Sequence, residues 1–233
     1  MLNSQLAHKT QKRCLDLHAS MNLHGLYLIL DPHIVRRLSL VEALKEAASG
    51  GATLFQYRDK TSPGRALYHE AEQLRQAARD VGATFIVNDR CDVALAVDAD
   101  GVHLGQGDLP LSLAKAILSP GTLIGISTHT SEQVREATVG GAHYVGFGPI
   151  FPTTSKGDHA PIVGVEGLRQ ARKLTSLPMF AIGGITVATV EGLIQAGADG
   201  IAVMSAIWAA PDIATAVHGF IEKMTRAVRP MNG

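Results

Sequence analysis

The stretch TFIVNDRCDVALAVDADGVHLGQGDLP, residues 84–110, carries two short apolar runs, TFIVN and GVHLG, each followed at once by polar turn residues. A continuous apolar run of this length bounded by turn signals reads as a strand buried on both faces, the kind a parallel sheet contains. Asn88 and Asp89 follow the first run, and Gln106, Gly107 and Asp108 follow the second. Two readings of these acids are open. Asp108 precedes LPLSLAK with Pro110 in the first turn, which suits a helix N-cap, and Asp92 competes with Asp89 for the same task. Alternatively, the two runs are adjacent strands one βα unit apart, which sets Asp89 and Asp108 side by side as a metal site.

The same unit recurs along the chain. Strand candidates are GLYLIL (25–30), TLFQYR (53–58), TFIVN (84–88), GVHLG (101–105), TLIGIS (122–127), YVGFG (144–148), MFAIG (179–183) and GIAVMS (200–205). Helical spacing fills the intervals. In LVEALKEAASGG, Val41, Leu44 and Ala48 share a face; in RALYHEAEQLRQAARDVG, Leu67, Ala71, Leu74 and Ala78 do so, with Gly82 as the C′ stop. TVATVEGLIQAG offers Thr186 or Thr189 as N-cap and Gly197 as stop. Several strands open after a Gly-Ala turn, at Gly51, Gly82, Gly141 and Gly197, where a tight connection needs positive φ. Repeated βα units of this size predict an α/β fold, a single (β/α)8 TIM barrel over residues 25–229 after a short N-terminal extension at 1–24. An open doubly wound sheet is the alternative, disfavoured because no second domain is evident.

Bulk properties exclude other classes. The 233 residues are 46% hydrophobic and 18% charged, enough apolar material for one large core and too little charge for disorder. Formal net charge is zero, so no basic excess points to nucleic acid or a membrane surface, and any anion site must be local. Cys14 and Cys91 are far apart and form neither a CxxC pair nor a disulfide framework, which fits a reduced, cytoplasmic setting. No apolar run reaches the roughly 18 residues of a membrane span, and residues 1–22 lack the continuous apolar core of a signal peptide. Apolar residues on the outer helical faces leave a homo-oligomer open.

In a barrel, chemistry belongs on the loops after the strands, and the unusual polar residues fall there. They are Gln56, Arg58 and Lys60; Asn88 and Asp89; Gln106 and Asp108; Ser127, Thr128 and His129; Thr153, Thr154, Ser155 and Lys156; Gly183 and Gly184; and Ser205. Gly183-Gly184 and Ser205, after the last two strands, suit the phosphate site of this architecture. Arg58, Lys60 and Lys156 suit a second, more highly charged anion such as a diphosphate. Asp89 and Asp108 then make sense as Mg²⁺ ligands, because magnesium takes one or two carboxylates and completes its shell with phosphate oxygens and water. Each signal has a plainer reading as well: solvated loop charges, ordinary turn composition and, for His103 inside a strand, a packed core histidine.

QYRDK (56–60), VNDRCDVALAVDADGVHLGQGDLP (87–110), IGISTHT (124–130), YVGFGPIFPTTSK (144–156), AIGGI (181–185) and ADGIAVMSAI (198–207) together resemble the thiamine-phosphate synthase family, in the family's motif order. The resemblance implies a barrel transferase of thiamine biosynthesis acting on two phosphorylated small molecules, a pyrimidine diphosphate and a thiazole phosphate, and dependent on Mg²⁺. It implies that Gln56, Tyr57, Arg58, Asp59, Lys60, Asn88, Ser127 and Lys156 bind the pyrimidine diphosphate, with Arg58, Lys60, Ser127 and Lys156 serving catalysis. It assigns Asp89 and Asp108 to the metal, and Thr153, Thr154, Ser155, Gly184, Met204 and Ser205 to the thiazole phosphate. Asp59 stands where the family often has glutamate, Gly107 where it has an acid or serine, and Ser155 where threonine is frequent. Two competing readings are a related thiazole tautomerase, with His129 as proton shuttle, and a non-catalytic sensor of a phosphate ligand. Retention of Arg58, Lys60, Asn88, Asp89, Asp108 and Lys156 argues against the tautomerase.

Overall fold

Each apolar run becomes a strand, and hydrogen bonds between consecutive runs close the sheet on itself. The computed structural model describes residues 23–153 and 161–228. The strands are β1 (Gly25–Leu30), β2 (Leu54–Tyr57), β3 (Thr84–Asn88), β4 (Gly101–Leu104), β5 (Leu123–Thr128), β6 (Tyr144–Phe147), β7 (Met179–Ile182) and β8 (Gly200–Val203). All are parallel, in the order β1 to β8, and β8 pairs back onto β1 with Gly25 opposite Gly200. The helices are α1 (Leu40–Ser49), α2 (Gly64–Asp80), α3 (Cys91–Ala96), α4 (Leu111–Ile117), α5 (Ser131–Val139), α6 (Gly164–Arg172), α7 (Val190–Gln195), α8 (Ser205–Trp208) and α9 (Ile213–Val228). Of the expected extension at 1–24, only Leu23 and His24 lie within the described residues. Among the described residues no helix is long and apolar enough to cross a membrane.

The connections follow from local chemistry. Gly51, Gly82, Gly141 and Gly197 all have φ between 69° and 102°, the conformation the Gly-Ala turns call for. Ser39 and Glu42 form a reciprocal capping box at the start of α1, and Thr130 and Gln133 form another at α5. Thr186 caps the short 3-10 turn Val187–Thr189 that leads into α7. Helix α2 buries Leu67, Ala71, Leu74 and Ala78 as the spacing predicts. In α1 the fully buried stripe is instead Leu40, Ala43, Leu44 and Ala47. Val41 and Ala48 flank that stripe half-buried, because the face touching the sheet is centred one residue away from the expected one.

Two apolar cores result. The larger lies between the outer faces of the strands and the helices. The smaller fills the barrel with Tyr27, Leu54, Ile86, Leu123, Tyr144, Phe180 and Ala202. Aromatic side chains fit this interior only because neighbouring strands carry glycine. A Cβ on Gly125, opposite Tyr144 in the sheet, would lie 2.1 Å from the Tyr144 ring. That ring is fully buried and its hydroxyl bonds both Tyr27 and His103, so it has nowhere to swing. Gly125→Ala is therefore expected to cost about 1–3 kcal/mol, the usual range for overpacking. Urea denaturation checks this, and an unchanged midpoint would contradict it.

The N-terminal ends of the strands are pinned by two matching clamps. Asp100, just before β4, accepts the Phe85 amide at 2.8 Å and Arg75 of α2 at 2.6 Å. Asp199, just before β8, accepts the Met179 amide at 2.8 Å and Arg172 of α6 at 2.7 Å. Carboxylates satisfied in this way stabilise the N-terminal end of the barrel, opposite the loops that follow the strands.

Candidate active site

The loops after the strands enclose a cavity of about 1040 Å³ at the C-terminal end of the barrel. Its wall takes residues from the loops or ends of all eight strands, among them Arg58, Lys60, Asn88, Asp89, Asp108, Ser127, His129, Thr153, Gly184, Met204 and Ser205.

One side of the wall is charged. Arg58 sits just past β2, its amide held by the Leu30 carbonyl, and its guanidinium makes an ion pair with Asp31. Asp31 follows β1 directly, its side chain is 3% exposed, and it also accepts the His33 amide at 2.9 Å. A buried carboxylate thus fixes the orientation of a cavity-lining arginine. Asp31 was not among the expected site residues; its position at the reactive end of the first strand is the signal that could have pointed to it. Lys60 lies 3.3 Å from Asp89 and remains about half exposed.

Asp89 and Asp108 do converge. Asp89 holds a left-handed backbone, φ 59°, uncommon for a residue other than glycine, and its amide donates to the His103 carbonyl at 2.8 Å. Burial, followed by the hydrogen-bonded and charged Asp108 beside it, pushes the Asp89 carboxyl up to about 6 against the pull of Lys60. The capping reading of Asp108 is not the one the chain adopts. Helix α4 begins at Leu111 with Pro110 as its N-cap and no side-chain cap bond. The Asp108 carboxylate turns back instead and accepts the Gly105 amide at 2.7 Å. Nor does Asp89 or Asp92 cap α3, whose N-cap is Arg90; Asp92 pairs with the Arg90 side chain.

A cation would relieve the repulsion between two carboxylates held this close. Among the described residues no cluster of three or more His, Cys, Asp or Glu side chains suited to a metal is present. Two carboxylates fit a hard ion that completes its shell with phosphate oxygens and water, and do not fit a metal caged by thiolates or imidazoles.

The opposite side of the wall is built from backbone. Gly183 and Gly184 have φ of 100° and 63°, and a Cβ on Gly184 would lie 2.4 Å from the Pro152 carbonyl oxygen. Glycine is required here because the loop after β7 packs against the loop after β6. Met204 and Ser205 lead into α8, which Trp208 ties to β1 through its indole N–H, 2.6 Å from the Ile29 carbonyl oxygen.

A family model described as thiamine monophosphate synthase matches residues 26–207. The chain belongs to the thiamine monophosphate synthase family. It is 45% identical over 202 residues to a thiamine-phosphate synthase from Moorella thermoacetica, covering 87% of this chain and 96% of that one. It is 46% identical over 200 residues to a thiamine-phosphate synthase from Methanospirillum hungatei, covering 86% and 97%. Among solved structures it superposes on a thiamine phosphate pyrophosphorylase from Pyrococcus furiosus with a TM-score of 0.82 at 40% identity, covering 89% of this chain and 98% of that one. Members of the family are transferases of thiamine biosynthesis built on this barrel, and the chain is one of them.

The residues that the family resemblance singles out are not all on the cavity wall. Gln56 points inside the barrel, where its amide bonds the Tyr27 hydroxyl at 2.7 Å. Tyr57 faces the helices, because successive residues of a strand alternate sides and its neighbour points inward. Burial alone would raise the Asp59 carboxyl, but hydrogen bonds from Ser62 and Thr61 outweigh it and hold the group at about 2. Asp59 thereby organises its own loop. Thr154, Ser155 and Lys156 lie outside the described residues. His129 donates from Nδ1 to the Gly148 carbonyl, and its own amide is held by Gln133.

Proposed function

We propose that the chain joins 4-amino-2-methyl-5-(diphosphooxymethyl)pyrimidine to a thiazole phosphate, releasing thiamine phosphate and pyrophosphate, with CO₂ when the thiazole carries its carboxylate. The observation that supports this most is the meeting of Arg58, Lys60, Asn88, Asp89, Asp108 and Ser127 on one side of a cavity whose other side is the glycine-rich loop after β7. A thiazole tautomerase has no use for the charged side.

The demanding event is cleavage of the bond between the exocyclic carbon and the leaving diphosphate oxygen. The ring amino group pushes electron density toward that carbon as the bond breaks, and the thiazole nitrogen then attacks the resulting pyrimidine cation. Arg58, Lys60 and Lys156 stabilise the negative charge that collects on the departing diphosphate. Asp89 and Asp108 would hold Mg²⁺, which would supply further charge neutralisation for the leaving diphosphate. Asn88 and Ser127 hold the pyrimidine diphosphate. Thr153, Thr154, Ser155, Gly184, Met204 and Ser205 hold the thiazole phosphate and supply proximity. In this reading residues 25–229 are the catalytic domain, residues 1–24 are an extension outside it, and the enzyme works in the cytoplasm. Homo-oligomerisation stays part of the proposal, with no role for nucleic acid or membrane.

The test is to incubate the purified chain with both substrates and Mg²⁺ and to assay pyrophosphate. Release that requires both substrates is expected; isomerised thiazole without pyrophosphate would overturn the reading. Lys156→Ala is expected to lower turnover by about 100-fold or more, the scale of one lost transition-state contact, with a much smaller effect on KM for thiazole phosphate. Unchanged turnover at saturating substrate would count against a role on the leaving group.

A further inference from the structure

The interior of an eight-stranded barrel is normally packed with branched aliphatic side chains. Here it carries a continuous chain of polar contacts that ends at the cavity. Gln56 Nε2 lies 2.7 Å from the Tyr27 hydroxyl, which lies 2.9 Å from the Tyr144 hydroxyl. The Tyr144 hydroxyl is 3.1 Å from His103 Nδ1, and His103 Nε2 is 2.9 Å from Ser127 Oγ. Gln56, Tyr27, Tyr144 and His103 are all buried, whereas Ser127 reaches the cavity wall. The sequence makes room for the chain: Gly125 clears the Tyr144 ring, and a Cβ on Gly146 would press on His103 Cε1 at 3.3 Å.

The chain has a direction. An amide N–H can only donate, so the Tyr27 oxygen accepts from Gln56 and the Tyr27 proton goes to Tyr144. The Tyr144 proton then goes to His103 Nδ1, which leaves the ring proton on Nε2. Nε2–H donates to one lone pair of Ser127 Oγ, so the Ser127 hydroxyl proton is not spent on the ring and is available to a group in the cavity. We infer that His103 is a positioning residue which, oriented by Tyr144, Tyr27 and Gln56, makes Ser127 a hydrogen-bond donor to the substrate. The opposite direction requires Gln56 to present its carbonyl oxygen and leaves Ser127 able only to accept. A substrate carrying diphosphate oxygens and ring nitrogens needs a donor at this point; the inference rests in that respect on the proposed pyrimidine diphosphate.

Two measurements test it. In the ligand-free protein labelled with ¹⁵N-histidine, the His103 resonances, assigned by their loss in His103→Gln, are expected to show the Nε2–H tautomer with Nδ1 unprotonated. An Nδ1–H tautomer overturns the inference. This readout does not depend on catalysis, so it decides the direction of the chain even if the proposed reaction fails. In turnover, His103→Phe is expected to lower kcat about tenfold, the value of one directed hydrogen bond, with KM nearly unchanged. His103→Gln, whose amide keeps an N–H near the Nε2 position, is expected to recover most of that loss. In a Ser127→Ala background His103→Phe is expected to add nothing, because its effect passes through the serine. A full tenfold loss in that background, or wild-type kcat for Ser127→Ala, overturns the positioning role while pyrophosphate release still upholds the synthase reading.

Discussion

Arg58→Ala is expected to lose both catalysis and stability, and the two losses are expected to separate. Arg58 lines the cavity and is held by Asp31, whose side chain is 3% exposed. Removing the guanidinium takes away one of the cations proposed to stabilise the leaving diphosphate, a loss of about 100- to 1000-fold in turnover. It also strands a buried carboxylate, which costs about 3–5 kcal/mol when one partner of a buried pair is removed. Adding Asp31→Asn removes the stranded charge and keeps an oxygen to accept the His33 amide. The double variant is therefore expected to regain most of the melting temperature and none of the activity. Thermal unfolding and pyrophosphate release on the same three proteins check this. Arg58→Ala with wild-type stability would show that the pair does not anchor the loop, and retained turnover would show that Arg58 does not serve the leaving group.

The barrel was legible in the sequence because its periodic features are local. Turn glycines at 51, 82, 141 and 197 adopt the positive φ that their positions demand, and each short apolar run is a strand to within a residue or two. The site was legible at the level of loops, since residues just past a parallel strand must gather at one end of the barrel. Side-chain direction was not. Whether Asp108 turns forward to a helix or back to Gly105 depends on a few backbone torsions that composition does not encode. The Arg58–Asp31 pair joins residues 27 positions apart, and the His103–Tyr144 contact joins residues 41 apart, so neither leaves a local pattern. Tyr57 is a different case. Once Gln56 is placed inside the barrel, strand alternation sends Tyr57 to the helices, so its exclusion from the cavity could have been deduced.

Asp89→Asn/Asp108→Asn is expected to reduce Mg²⁺-dependent turnover at least about 100-fold while leaving the metal-free protein as stable as the parent, or slightly more so. Asparagine accepts the left-handed backbone at position 89, φ 59°, at least as readily as aspartate, and still offers an oxygen to the Gly105 amide from position 108. What it removes is the charge, and with it both the mutual repulsion and the proposed hold on a divalent cation. Should activity survive in this variant, the pair would be a loop device with no share in the chemistry.

The most direct measurement is the coupling between Mg²⁺ and pyrophosphate, read by calorimetric titration of pyrophosphate into the protein with and without the metal. Mg²⁺ is expected to tighten pyrophosphate binding at least about tenfold in the parent chain, within the usual range of a coupling energy, and to have little effect in the double asparagine variant. Equal coupling in the two proteins would place the cation somewhere other than between Asp89 and Asp108, and would contradict the account.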